Sequence, residues 1–172
     1  IRKAAIQTLE RRQIIYGPNK GIEPLRKAIS DDLKKKTGVD YDSESEVIVT
    51  VGGSEAIDIA LRGLINDGDE VLVTEPCFVC YTPLIELAGG VAVSVPTKLE
   101  NNFKLTVNDL KDKITPRTKL LILPFPNNPT GAVMTKEDLE PIADLLRDTD
   151  IMILTDEIYS ELTYGREHFS II

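Results

Sequence analysis

Apolar side chains recur in two rhythms along this chain, and each rhythm predicts a different element. Ile22, Leu25, Ile29 and Leu33 return at helical spacing, which predicts a helix from Ile22 closed by Thr37-Gly38. Ala5, Ile6 and Leu9 share one face of a helix predicted over residues 1–12; Gly17, Pro18 and Gly21 break the chain after it. Apolar runs predict strands at 46–51, 70–74, 91–95, 119–123 and 151–155. Between the strands lie helical patterns. Ala56, Ile59, Ala60 and Gly63 share a face with Leu64, and a helix predicted at 79–88 stops at Gly89-Gly90. Thr106 with Asp109 resembles a capping box before Leu110 and Ile114, and Thr135 with Asp138 caps a helix carrying Leu139, Ile142, Ala143 and Leu146. Unalternated strands separated by amphipathic helices predict an α/β fold, a mostly parallel sheet covered on both faces. The first residues supply helix without strand, so the expected organisation is a helical lead-in over 1–40 and the main domain over 41–172.

Composition narrows the class. A chain of 172 residues with 42% hydrophobic and 28% charged residues is an ordinary globular protein with room for a sizeable core. Its net charge of −8 argues against a nucleic-acid surface. Lys34, Lys35 and Lys36 form the main basic cluster, and they fall where a helix should end, a position that suits the helix dipole. No apolar run approaches a membrane span, and the N-terminal residues lack the form of a secretory signal. Two cysteines do not make a disulfide scaffold, so a cytoplasmic protein is expected. The start at Ile1 and the stop at Ile172 read as cuts, and truncation is the expectation.

In open α/β sheets ligands bind beyond the carboxyl ends of the strands. Three features converge on that edge. The segment TVGGSEA at 50–56 turns from strand into helix, where backbone amides face an anion and Ser54 adds a hydroxyl; Gly-Gly before a helix is also a common plain turn. PFPNNPTG at 124–131 restricts its backbone with Pro126 and Pro129 and offers the Asn127 and Asn128 amides, either to its own turn or to a ligand. ILTDEIYSE at 153–161 places Asp156 where a buried strand emerges; if a helical turn starts there, Tyr159 points to the same side. A strand-end carboxylate can equally cap a helix, and Tyr159 can be core. Cys77 and Cys80 fit a C-x-x-C redox pattern, but with Phe-Val between them and a single histidine in the chain, neither thiol exchange nor zinc binding is expected.

TVGGSEA, EPCFVCY, PFPNNPTG and TDEIYSEL, in this order and spacing, resemble fold-type I pyridoxal-phosphate (PLP) enzymes of the class I/II aminotransferase family. YGPNKGIEPLRKAI at 16–29 is similar to that family's tyrosine and Gly-x-x-x-Leu-Arg segment, so the resemblance covers essentially the whole chain. It implies that residues 41–172 are a partial PLP-binding large domain. It implies that Gly53, Ser54 and Glu55 hold the cofactor phosphate and that Phe78 stacks on the pyridine ring. Asn128 and Tyr159 match donors to the phenolic oxygen, and Asp156 matches the partner of the pyridine nitrogen. Tyr16 matches a tyrosine that crosses to the phosphate of the neighbouring subunit, which implies a homodimer. The implied reaction transfers an amino group from an amino acid to a 2-oxo acid. A carbon–sulfur β-lyase and a non-catalytic PLP-sensing regulator share the scaffold and stand as alternatives. The chain departs from the family in one respect: no lysine follows Tyr159 to match the Schiff-base lysine, and Lys98, Lys104, Lys111, Lys113, Lys119 and Lys136 lie upstream of the Asp156 motif. The expectation is a fragment inactive by itself, with no catalytic residue assigned within it.

Overall fold

The computed structural model describes residues 1–11 and 16–172 of the chain. They divide into two compact units, Ile1–Thr50 and Val51–Ile172.

The first unit carries helices α1 (Arg2–Glu10) and α2 (Glu23–Thr37). Pro24 sits at the start of α2, where its missing N–H costs nothing. Gly38, at φ 80°, ends the helix with its amide on the Lys34 carbonyl, and Lys34, Lys35 and Lys36 occupy the last turn as expected from the dipole. Arg26 is only 3% exposed, yet every bond it makes is local: Nε donates to the Gly21 carbonyl, one terminal nitrogen to the Ser43 carbonyl at 2.7 Å, and the other to Glu44 Oε2 at 2.8 Å. It is therefore a structural side chain. The strand predicted at 46–51 does not form. That stretch is extended, and the Val49 amide bonds the Lys20 carbonyl at 3.1 Å, but Ile48 and Val51 are exposed and no sheet among the described residues takes it up. β-branched content marks a strand only where a neighbouring edge exists to receive it.

The second unit is the α/β body. It comprises α3 (Gly53–Leu64), β1 (Glu70–Glu75), α4 (Tyr81–Leu87), β2 (Val91–Pro96), α5 (Val107–Lys111), β3 (Thr118–Leu123), α6 (Lys136–Leu146) and β4 (Met152–Thr155). All the strand pairings are parallel, in the order β2-β1-β3-β4. Alternate side chains of each strand enter opposite cores. Val71, Val73, Leu120 and Ile122 pack with Ile57 and Leu61 of α3 and Ile85 of α4. Leu72, Leu121 and Leu123 pack with Leu110 of α5 and Leu139, Ile142 and Leu146 of α6. Both faces are thus covered, which is why the strand sequences do not alternate.

The strand order also fixes where a ligand can enter. From β1 the chain passes through α4 to β2 on one side; it then returns through α5 to β3 on the other side of β1. The connections leaving β1 and β3 therefore diverge, and a crevice opens beyond their carboxyl ends.

Candidate active site

That crevice holds a cavity of about 140 Å³ lined by Gly53, Ser54, Phe78, Asn128, Asp156 and Tyr159, together with Ile57, Tyr81, Ile158 and the prolines 124 and 126. Each side chain arrives by a separate device. Gly53 opens α3 behind an extended Gly52, so the amides of the first turn have no carbonyl of their own helix to bond. An anion placed there meets those donors and the positive end of the helix dipole. Glu55 does not line the cavity; its carboxylate turns back to accept the Val51 amide at 2.7 Å.

The turn after β3 is held from within and from its neighbour. Asn127 donates its backbone amide to the Ala132 carbonyl at 2.9 Å and accepts the Gly131 amide at 2.8 Å. Its buried side chain donates to the Pro76 carbonyl at 3.1 Å, tying this turn to the one that follows β1. The Phe125–Pro126, Asn128–Pro129 and Glu75–Pro76 peptides are cis. Asn127 is thus the turn's own fastening, while Asn128 is left facing the cavity.

Asp156 follows β4 directly, and its amide donates to the Leu123 carbonyl at 3.1 Å, extending the sheet by one bond. Its Oδ1 accepts the Ile158 amide at 3.2 Å and its Oδ2 accepts the Tyr81 hydroxyl at 2.8 Å. No α-helical turn links Asp156 to Tyr159 as the sequence suggested: a 3-10 helix begins only at Ser160, with Tyr159 as its cap. Both side chains reach the cavity even so. Glu157 faces elsewhere, accepting the Thr155 hydroxyl at 3.0 Å and the Ser170 hydroxyl at 2.6 Å and pairing with His168 Nε2 at 2.9 Å. This bears out its reading as polar scaffolding and gives His168 a packing partner.

Sequence reasoning passed over Tyr81. Its ring is 2% exposed and meets Phe78 edge to face, centroids 6.0 Å apart at 82°. A tyrosine on a buried helix face must find a partner for its hydroxyl, and that requirement was the available signal. Burial first, then the hydrogen bond to Asp156 and its charge, push the phenol well above its ordinary value of 10.0. Burial likewise raises both Cys77 and Cys80, so neither has the thiolate character that thiol exchange needs. Tyr16 lies in the other unit, with its side chain fully exposed.

Comparison with known proteins gives one consistent picture. A profile of the family described as aminotransferase class I and II matches residues 1–172. The aromatic-amino-acid aminotransferase 2 of Thermococcus litoralis is 44% identical over 99% of the chain, and the aspartate aminotransferase of Pyrococcus abyssi is 42% identical over 99%. The chain spans 44% of the length of each. The crystal structure of an aromatic aminotransferase from Pyrococcus horikoshii superposes with a TM-score of 0.95 at 42% identity, covering 99% of this chain and 46% of that one. Among the described residues no helix is long and apolar enough to cross a membrane.

Proposed function

Because the chain belongs to the aminotransferase class I and II family, we propose that it forms the cofactor-holding part of a PLP-dependent enzyme that moves an amino group between an amino acid and a 2-oxo acid. The observation that carries this reading is the Asp156 carboxylate facing the same small cavity as the first turn of α3 and the ring of Phe78. The residues fit the cofactor: anion donors at one end, an aromatic and aliphatic wall, and a carboxylate held by two donors. Bound there, PLP supplies an aldehyde carbon for the substrate's amino group and a pyridine ring that accepts electrons as the α-proton leaves.

The chain's own residues do the rest. The amides opening α3 and the Ser54 hydroxyl bind the phosphate. Phe78 stacks on one face of the ring and, with Ile57 and Ile158, keeps water from it. Asn128 and Tyr159 donate to the phenolic oxygen and stabilise its anionic form. Asp156 holds a proton on the ring nitrogen, which keeps the ring electron-deficient. Glu55 acts through its backbone alone, since its side chain is committed to Val51. Tyr16 reaches the phosphate of a second subunit, and its full exposure leaves it free for that role. Relatives named for aspartate and for aromatic amino acids support amino-group transfer over β-elimination and point to those two substrate classes.

The test is made on the complete protein. It should bind one PLP per subunit, and Asp156→Ala should slow half-transamination by roughly 100-fold or more while cofactor affinity falls far less. A variant rate within a few-fold of wild type would remove Asp156 from its role. Release of pyruvate and ammonia instead of a new amino acid would mark a lyase.

A further inference from the structure

The least exposed polar side chain facing the cavity is not one that the family resemblance assigns. Tyr81 stands at the start of α4, on the connection from β1, whereas Asp156 stands after β4, 75 positions away in sequence. The fold brings them to 2.8 Å. Resting on the reading above, we propose that Tyr81 is the positioning residue for Asp156: its hydroxyl fixes the rotation of the carboxylate and keeps it the acceptor of the ring proton.

Three observations converge on this assignment. First, the carboxylate is held at both oxygens, Oδ1 by the Ile158 amide and Oδ2 by Tyr81. The first donor belongs to Asp156's own turn and orients it only locally. Tyr81 is the donor that ties it across the sheet. Secondly, the bond runs in one direction. A phenol buried beside a carboxylate stays protonated, so Tyr81 donates and Asp156 accepts, and a donated hydrogen bond favours the charged form of the acceptor. A carboxylate favoured in its charged form leaves the shared proton on the pyridine nitrogen. Thirdly, the same ring abuts Phe78 edge to face, so one side chain braces both the group assigned to the ring face and the group assigned to the ring nitrogen. Truncating Tyr81 would loosen both; removing only its oxygen isolates the effect on Asp156.

The experiment is a double-mutant cycle in the complete holoenzyme with Tyr81→Phe, Asp156→Ala and the pair, since coupled residues show their link as non-additivity. Phenylalanine keeps the ring and its packing, and a thermal melt establishes that the variant folds. Two readouts are taken: the single-turnover rate of half-transamination, and nitrogen NMR of a cofactor labelled at the ring nitrogen. Tyr81→Phe should slow the half-reaction roughly ten-fold, the loss of one charge-assisted hydrogen bond, with little change in KM. The ring-nitrogen resonance should move towards that of an unprotonated pyridine. In the Asp156→Ala background the same substitution should change neither readout. Reconstitution with a cofactor analogue carrying carbon in place of the ring nitrogen should likewise abolish the effect. If the penalty persists undiminished in either setting, or the resonance does not move, Tyr81 is a packing residue and the inference fails while the aminotransferase reading stands. If the wild type takes up no cofactor, both fail together. Should Tyr81→Phe not fold, replacing Tyr81 by a fluorinated tyrosine keeps every contact and changes only donor strength; an unmoved ring-nitrogen resonance in that protein would again overturn the inference.

Discussion

At the scale of single residues, what a side chain touches separates roles that composition leaves merged. Asn127 and Asn128 are adjacent and chemically identical, yet one fastens its turn to Pro76 and the other faces the cavity. Asp156 and Glu157 divide in the same way, one towards the cavity and one towards His168 and Ser170. The motif singled out Asn128 and Asp156 correctly as cavity-facing, because a turn or strand end has fixed geometry. It could not reveal Tyr81, whose partner lies far off in sequence. Glycine gives a comparable case in the first unit. Gly21 sits at φ 93°, and a Cβ there would come within 2.7 Å of Val49 Cβ. Gly21→Ala therefore combines left-handed strain with a clash against a β-branched side chain that has no slack at its Cβ. We expect a loss of about 2 kcal/mol in urea unfolding. A midpoint unchanged from wild type would mean that the segment around Val49 gives way freely.

Elements were the most legible level of this chain. The helices closed by Gly38 and by Gly89 and the strands at β1 to β4 stand where the periodicity placed them, to within a residue or two. The capping boxes of α5 and α6 were legible because their signal is local: Asp109 accepts the Thr106 amide at 3.0 Å, and Asp138 accepts the Thr135 amide at 2.8 Å. The strand expected at 46–51 failed for the converse reason, since a strand needs a partner that local sequence does not name. Asp138 carries a further load, a salt bridge to Lys104. Partial burial pushes its carboxyl up, but the Lys104 contact and the Thr135 amide and hydroxyl outweigh that and hold it below its ordinary 3.8. A depressed folded value stabilises the protein above the unfolded value and ceases to do so as pH falls through the folded one. Asp138→Ala should thus cost about 1 kcal/mol at neutral pH, as lost caps do. The gap between variant and wild type should close in acid, below 3.8. Denaturation curves at a series of pH values would show this, and a gap constant down to the acid limit would refute it.

At the scale of the molecule, sequence gave the sheet's parallel character but not its order, because continuous apolar strands fit any neighbour. The order β2-β1-β3-β4 is what opens the crevice, and the crevice determines how its walls are assembled. They come from the start of α3, from the connection and helix after β1, from the turn after β3 and from the segment after β4. No short stretch of chain contains the cavity. A molecule that fills it is therefore a tie between distant parts of the polypeptide, and the unfolded chain has nothing equivalent to offer. By mass action such a molecule draws the folding equilibrium towards the assembled sheet, by about 2.7 kcal/mol at one hundred times its Kd. Melting temperature should rise steadily with added PLP in the wild type, and the rise should shrink in any variant that detaches one wall from the others.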